Sequence, residues 1–267
     1  MNRAYLVHVL RANWFRLLLV AIGLAIWGAI LPIVYDAFGQ QFRSIMDSGI
    51  IPPQFAQFGG GDIFSLTGSV ALGFIHPFAV ALNMVFAVGF AGAAIAGERQ
   101  RGTLEVLLAR PLSRRSVYAT LLFATLLFIA VGVAALIAGN LAGAVLFNVI
   151  REIDVARVPM LWLNGVLLFA AFGSIGLAAS ASFDRLSPAL GVTLTIVLVS
   201  YFLEILGSLW PDASWLQAYS LFHYLKPRDV LNGQVDLFGP GLMLAVTVVA
   251  VAYALIEFPR RDLAAPS

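Results

Sequence analysis

The chain has no cysteine and only 11% charged residues, and its basic residues are almost all arginine, with Lys226 the single lysine. Without thiols, disulfides, thiolate metal sites and cysteine nucleophiles are excluded together. The net charge of +2 is too small to point to a nucleic-acid partner. The three histidines, His8, His76 and His223, are too scattered for a recognisable zinc motif. A phosphate-binding loop needs Gly-Lys followed by Ser or Thr, whereas Lys226 follows Leu225 and precedes Pro227. The chain therefore cannot hydrolyse ATP by itself. It also lacks a Gly-x-Ser-x-Gly nucleophile elbow, an internal repeat and a low-complexity linker.

What the chain has in abundance is apolar surface. It is 61% hydrophobic over 267 residues, with a mean hydropathy of +0.93. A soluble domain averages about 45–50% apolar and about 25% charged residues. Lipid is the natural solvent for such a composition. A helix rises about 1.5 Å per residue, so a hydrocarbon core of about 30 Å takes about 20 apolar residues. Six runs meet this length: 17–35, 69–96, 117–149, 158–182, 188–209 and 241–257. The expected fold is an all-α polytopic membrane protein in which one transmembrane domain fills residues 1–267. His76-Pro77 should break or kink the second run, because proline removes a helical hydrogen bond. Trp27 sits in the middle of the first run and reads as a packing residue. The basic start and the apolar run after it read as a retained helix, since further long apolar runs follow.

Basic residues collect on the cytoplasmic side of a membrane protein. With the N-terminus inside, 11 of the 16 basic residues fall on inner segments, and most acidic residues fall on outer ones. Both termini are thus expected in the cytoplasm. Tyr35, Trp162, Trp210, Trp215, Tyr219 and Tyr224 then lie near the outer boundary, where aromatic rings favour the headgroup level. The outer loop over 36–68 must turn sharply at Pro52-Pro53 and Gly59–Gly61. The outer segment over 211–240 should hold short helices at Trp215–Tyr224 and Pro227–Leu231.

Residues 1–16 form an amphipathic segment, with Leu6, Val9, Leu10 and Trp14 on one helical face and Arg3, Val7 and Arg11 opposite. Between the second and third runs, Thr103 to Ala109 reads as a short helix outside the membrane. Thr103 is placed to cap it, and Glu105 sits near its positive end. Leu104, Leu107 and Leu108 make an apolar stripe, and Pro111 ends the helix. On residue chemistry alone this is either a docking element for a soluble partner or a plain loop resting on lipid. Glu204 lies within the fifth run, where a buried charge costs about 2.5–3.5 kcal/mol at the bilayer centre. Glu204, His76 and His223 are the candidates for a substrate path or gate. Each has a plainer reading, as an interfacial acid or a packing histidine. Gly89, Gly92, Ala93 and Ala96 offer a small-residue face for close packing.

The string from Gly97 to Arg114 (Gly-Glu-Arg-Gln-Arg-Gly-Thr-Leu-Glu-Val-Leu-Leu-Ala-Arg-Pro-Leu-Ser-Arg) resembles the signature of ABC transporter type-2 permeases. Leu221–Gly233 and Phe258–Leu263 are similar to later segments of that family. The resemblance implies the transmembrane subunit of an ABC exporter, with no catalytic residue and no metal or cofactor of its own. ATP and magnesium would sit on two copies of a separate ABC ATP-binding subunit. A second permease, identical or homologous, would complete the path in the plasma membrane. The loop of Glu98, Arg99, Arg101, Gly102, Thr103, Leu104, Glu105, Leu107, Leu108 and Pro111 would couple to the ATPase. Leu6, Leu10 and Trp14 would mark a cytoplasmic connecting helix. The cargo expected is hydrophobic or amphiphilic. A stand-alone transporter or a membrane-embedded lipid-modifying enzyme is the alternative.

Overall fold

The computed structural model describes residues 1–48, 65–234 and 236–261. The expected turns at Pro52-Pro53 and Gly59–Gly61 lie outside the described residues. Among those described there is no strand, and helices account for nearly everything. The long elements are α1 (Arg3–Asp47), α6 (Arg114–Leu146), α7 (Val158–Ser182), α8 (Leu186–Leu209) and α10 (Phe238–Arg260). A bent pair, α2 (Leu66–Ile75) and α3 (Pro77–Met84), supplies one more apolar crossing. Five helices and this pair are apolar and long enough to span a membrane, so the protein is a multi-pass membrane protein. Three short helices complete the set: α4 (Ala96–Gln100), α5 (Thr103–Leu108) and α9 (Pro227–Leu231).

The first run differs from its expected bounds. Residues 1–16 are not set off from the span; α1 continues without interruption from Arg3 through Pro32 to Asp47. At about 1.5 Å per residue it outreaches the hydrocarbon core, so it tilts or projects. Val9 is buried, Leu6 and Leu10 are half-buried against the core, and Trp14 faces outward with Phe15. Arg3, Val7 and Arg11 are exposed, as the amphipathic pattern required. The third run stops at Leu146 rather than Val149, because Asn148 turns left-handed at φ 57°.

The second crossing bends by 44° at His76-Pro77. Pro77 has no N–H to give the carbonyl four residues back, at Gly73. Trp27 of α1 donates its indole N–H to that carbonyl at 3.2 Å. Tyr201 of α8 donates to the neighbouring carbonyl of Ile75 at 2.9 Å. In lipid such orphaned carbonyls are costly, so partners from two other spans hold the bend. Beyond Met84 the crossing relaxes into a π-turn over Val85–Phe90 before ending near Ala93.

Helix α7 is the central element, packed against α6, α8 and α10. Helices α1 and α6 pack along much of their length through small residues. A Cβ on Gly139 would lie 2.0 Å from the Ala25 carbonyl oxygen, and one on Gly28 would lie 2.2 Å from that of Leu136. The two backbones touch, a packing mode that suits membranes. Gly92 of the expected small-residue face meets the side chain of Leu190, while a Cβ on Gly89 would have only the Met84 carbonyl oxygen nearby, at 3.9 Å. Apolar residues left outside the bundle, such as Leu198 and Phe202 on α8 and Val248 and Val249 on α10, face the lipid side.

Candidate functional site

Helices α4 and α5 stand between the second and third crossings, at one end of the bundle. Ser180 of α7 fixes their root. Its hydroxyl accepts the backbone N–H groups of both Ile95 and Ala96, each at 2.9 Å. Arg99, on α4, is only 3% exposed. Its Nη1 donates to the Phe183 carbonyl at 3.2 Å and to Asp184 Oδ1 at 2.9 Å. Burial lowers the Arg99 pKa, Arg261 adds to this, and Asp184 opposes it. Gln100 accepts the Leu186 backbone N–H at 2.8 Å, so α4 is stitched to the turn between α7 and α8.

Between α4 and α5 the chain reverses through Gly102, at φ +70°. The Glu98 carboxylate holds this reversal closed by accepting from Arg101 and from the Thr103 hydroxyl. The capping residue of α5 is thus Gly102, not Thr103. Thr103 is the first helical residue, and its side chain is spent on Glu98. Glu105 does occupy the first turn.

Leu104 is 2% exposed and packs into the core, with Leu107 and Leu108 half-buried beside it. The leucine stripe thus seats α5 on the spans. Glu105, Val106, Ala109 and Arg110 of this segment are exposed, Val106 to 67%, and Val106 and Arg110 border the groove beside α5. Pro111 follows on the exposed side. Behind α5 lies a groove of about 800 Å³ between the start of α1 and the end of the second crossing. Val9, Phe90 and Leu107 give it an apolar wall, while His8, Arg16 and Arg110 line it with polar heads.

The three other sequence candidates do not form one cluster. His76 caps α3 by accepting the Phe78 N–H, and its ring stacks 4.3 Å from Trp27, so it belongs to the bend. Glu204 and His223 do meet at the opposite end of the bundle. Glu204 Oε1 accepts from Gln217 at 2.9 Å, and Oε2 lies 3.8 Å from His223 Nδ1. Burial lowers the His223 pKa, and Lys226 pushes it the same way. A 3₁₀ segment, Pro211–Tyr219, folds back over Glu204, followed by a 3₁₀ turn at Phe222–Tyr224 and then α9. The sequence placed α9 at its observed bounds and expected one short helix over Trp215–Tyr224, where the chain forms two 3₁₀ segments that meet at Ser220-Leu221.

Neither Ser180 nor Asp184 stands out in the sequence. Their partners lie some 80 residues away in the chain, so no local pattern marks them. Asn83, Asn140 and Asn164 are also buried in the spans, each with an unpaired side-chain oxygen.

A bundle of apolar crossings with a braced helical projection at one end is the architecture of a multi-pass membrane protein. The model of the ABC-2 family transporter proteins matches residues 8–263, so the chain belongs to that family and is a transporter membrane subunit. No curated protein matches the sequence.

Proposed function

We propose that this permease is the transmembrane half of an ABC exporter driven by a separate ATP-binding subunit, and that α4 and α5 receive that subunit. The braced geometry of the pair carries the reading. Ser180, Arg99 and Gln100 fix α4 to the bundle, while Val106 and Glu105 of α5 are exposed. A rigid projection with an apolar centre and charged rim suits a groove on a soluble protein. On this reading the α4–α5 end is the cytoplasmic one, which the positive-inside count supports. In a prokaryotic cell the membrane is the plasma membrane, and the unit works as a pair of permeases with two ATPases that bind ATP and magnesium.

The cargo is hydrophobic or amphiphilic. The groove behind α5 supports this, with an apolar wall and arginine heads that suit a molecule arriving from the inner leaflet. On this reading the folded-back segment over Glu204 and His223 gates release on the outer side.

The test is affinity purification of the tagged chain in mild detergent from its own cell. An ATPase bearing a Walker motif should accompany it in near-stoichiometric amount. Val106→Glu should cut its recovery about tenfold, as expected for a central interface position. A well-folded chain that brings down no ATPase rules the reading out and favours a transporter acting alone.

A further inference from the structure

One cluster at the α5 end is not explained by docking. Asp184 lies in the turn between α7 and α8, and its Oδ1 accepts from two arginines. Arg99 of α4 donates at 2.9 Å, and Arg261, just past α10, donates from Nη2 at 3.0 Å. Arg114, in the first turn of α6, reaches the same place from another side. Its Nη1 donates to the carbonyls of Phe258 and Pro259, at 3.4 and 3.2 Å, and to that of Arg261. Every crossing from the second to the sixth therefore ends in this one knot. The first crossing is tied in separately, through the Asn2 N–H to Thr120 on α6 at 3.0 Å.

The knot is asymmetric. Two arginines share one carboxylate while Arg114 has only backbone carbonyls, and Arg99 is buried with its Nε and Nη2 unpaired. A buried guanidinium with spare donors depends heavily on the one acid it has. Asp184 is half-exposed, and the two arginines take a single oxygen from different directions. A push on α4 therefore reaches the α7–α8 turn and the end of α10 through Asp184. Ser180 and Gln100 hold the short α4 through hydrogen bonds to neutral groups, and the Arg99–Asp184 pair adds the charged tie that continues to Arg261.

We infer that Asp184 is the positioning residue that makes α4, the α7–α8 turn and the end of α10 move as one body when the partner drives α5. The inference rests on the coupling role proposed above for α4 and α5. It adds the route by which displacement leaves that pair.

The absence of native cysteine makes the test clean. Spin labels go on Ala109→Cys, at the end of α5, and Ser187→Cys, at the start of α8; both positions are exposed. Distances are measured by pulsed electron resonance in the purified full-length chain with its accompanying ATPase, without nucleotide and with magnesium, ATP and vanadate. The original background should give a narrow distribution that keeps its mean in both states. Asp184→Ala should widen it about twofold and let the mean shift with nucleotide, as a segment released to local motion does. Asp184→Glu should restore the narrow form. Arg261→Ala, which spares the Arg99 pair, should stay narrow and so separates release of α4 from general loosening. An Asp184→Ala distribution as narrow and fixed as the original overturns the inference, even if the ATPase still co-purifies and hydrolyses ATP. If no ATPase accompanies the chain, the coupling role fails, and the nucleotide-free comparison still decides whether Asp184 holds the two elements together.

Discussion

Gly102 shows how much one residue decides here. Its left-handed backbone turns α4 into α5, and a Cβ there would meet nothing within 4 Å. The cost of a side chain is then purely conformational, about 1–2 kcal/mol for an ordinary residue. Gly102→Ala should lower the stability by that amount and so lower Tm, and Gly102→Asn should lose less, because asparagine tolerates this region. Equal melting of all three chains would mean that the reversal is not held in this conformation. The Gly-Thr-Leu-Glu stretch made the segment visible in the sequence. Its orientation was not visible, since a leucine stripe fits a docking face as well as a seat on the spans. Leu104 settles the matter by being buried among the spans while Val106 is exposed.

Among the elements, the crossings were legible and their seams were not. Hydropathy marks a helix that must sit in lipid, so α7 and α8 fall close to their expected bounds. The bend at His76-Pro77 was legible too, because a missing N–H is written in the sequence. That Trp27 and Tyr201 would fill the vacated positions was not, as nothing local links them to Gly73 and Ile75. Small residues are frequent in membrane helices, so the glycines of α1 and α6 did not stand out. Gly139 and Gly191 separate the two uses of glycine. Gly139 faces a backbone carbonyl at 2.0 Å from its would-be Cβ, whereas Gly191 faces open space. Gly139→Ala should force α1 away from α6 and destabilise by about 1–3 kcal/mol. Gly191→Ala should stabilise by up to about 1 kcal/mol through helix propensity. Thermal unfolding in detergent compares the two, and a harmless Gly139→Ala would mean that α1 and α6 do not touch through their backbones.

For the whole molecule, the decisive property is which ends share a side. The start of α1 is tied to α6 near Thr120, and the end of α10 is tied to Arg114 and Asp184, beside α5. Both described ends therefore lie with α4 and α5, as six crossings require. A membrane-impermeant maleimide added to intact cells should label Trp215→Cys, where the tryptophan is 63% exposed, and spare Ala109→Cys and Ser187→Cys. Labelling of Ala109→Cys from outside would invert the proposed orientation.

This shared side bears on how a pair of such permeases can be built. The end of one copy and the beginning of the next would emerge in the same compartment. A hydrophilic tether is then enough to join two copies, or a copy and a soluble domain, into one polypeptide. No additional crossing is needed, and neither half has to be turned over.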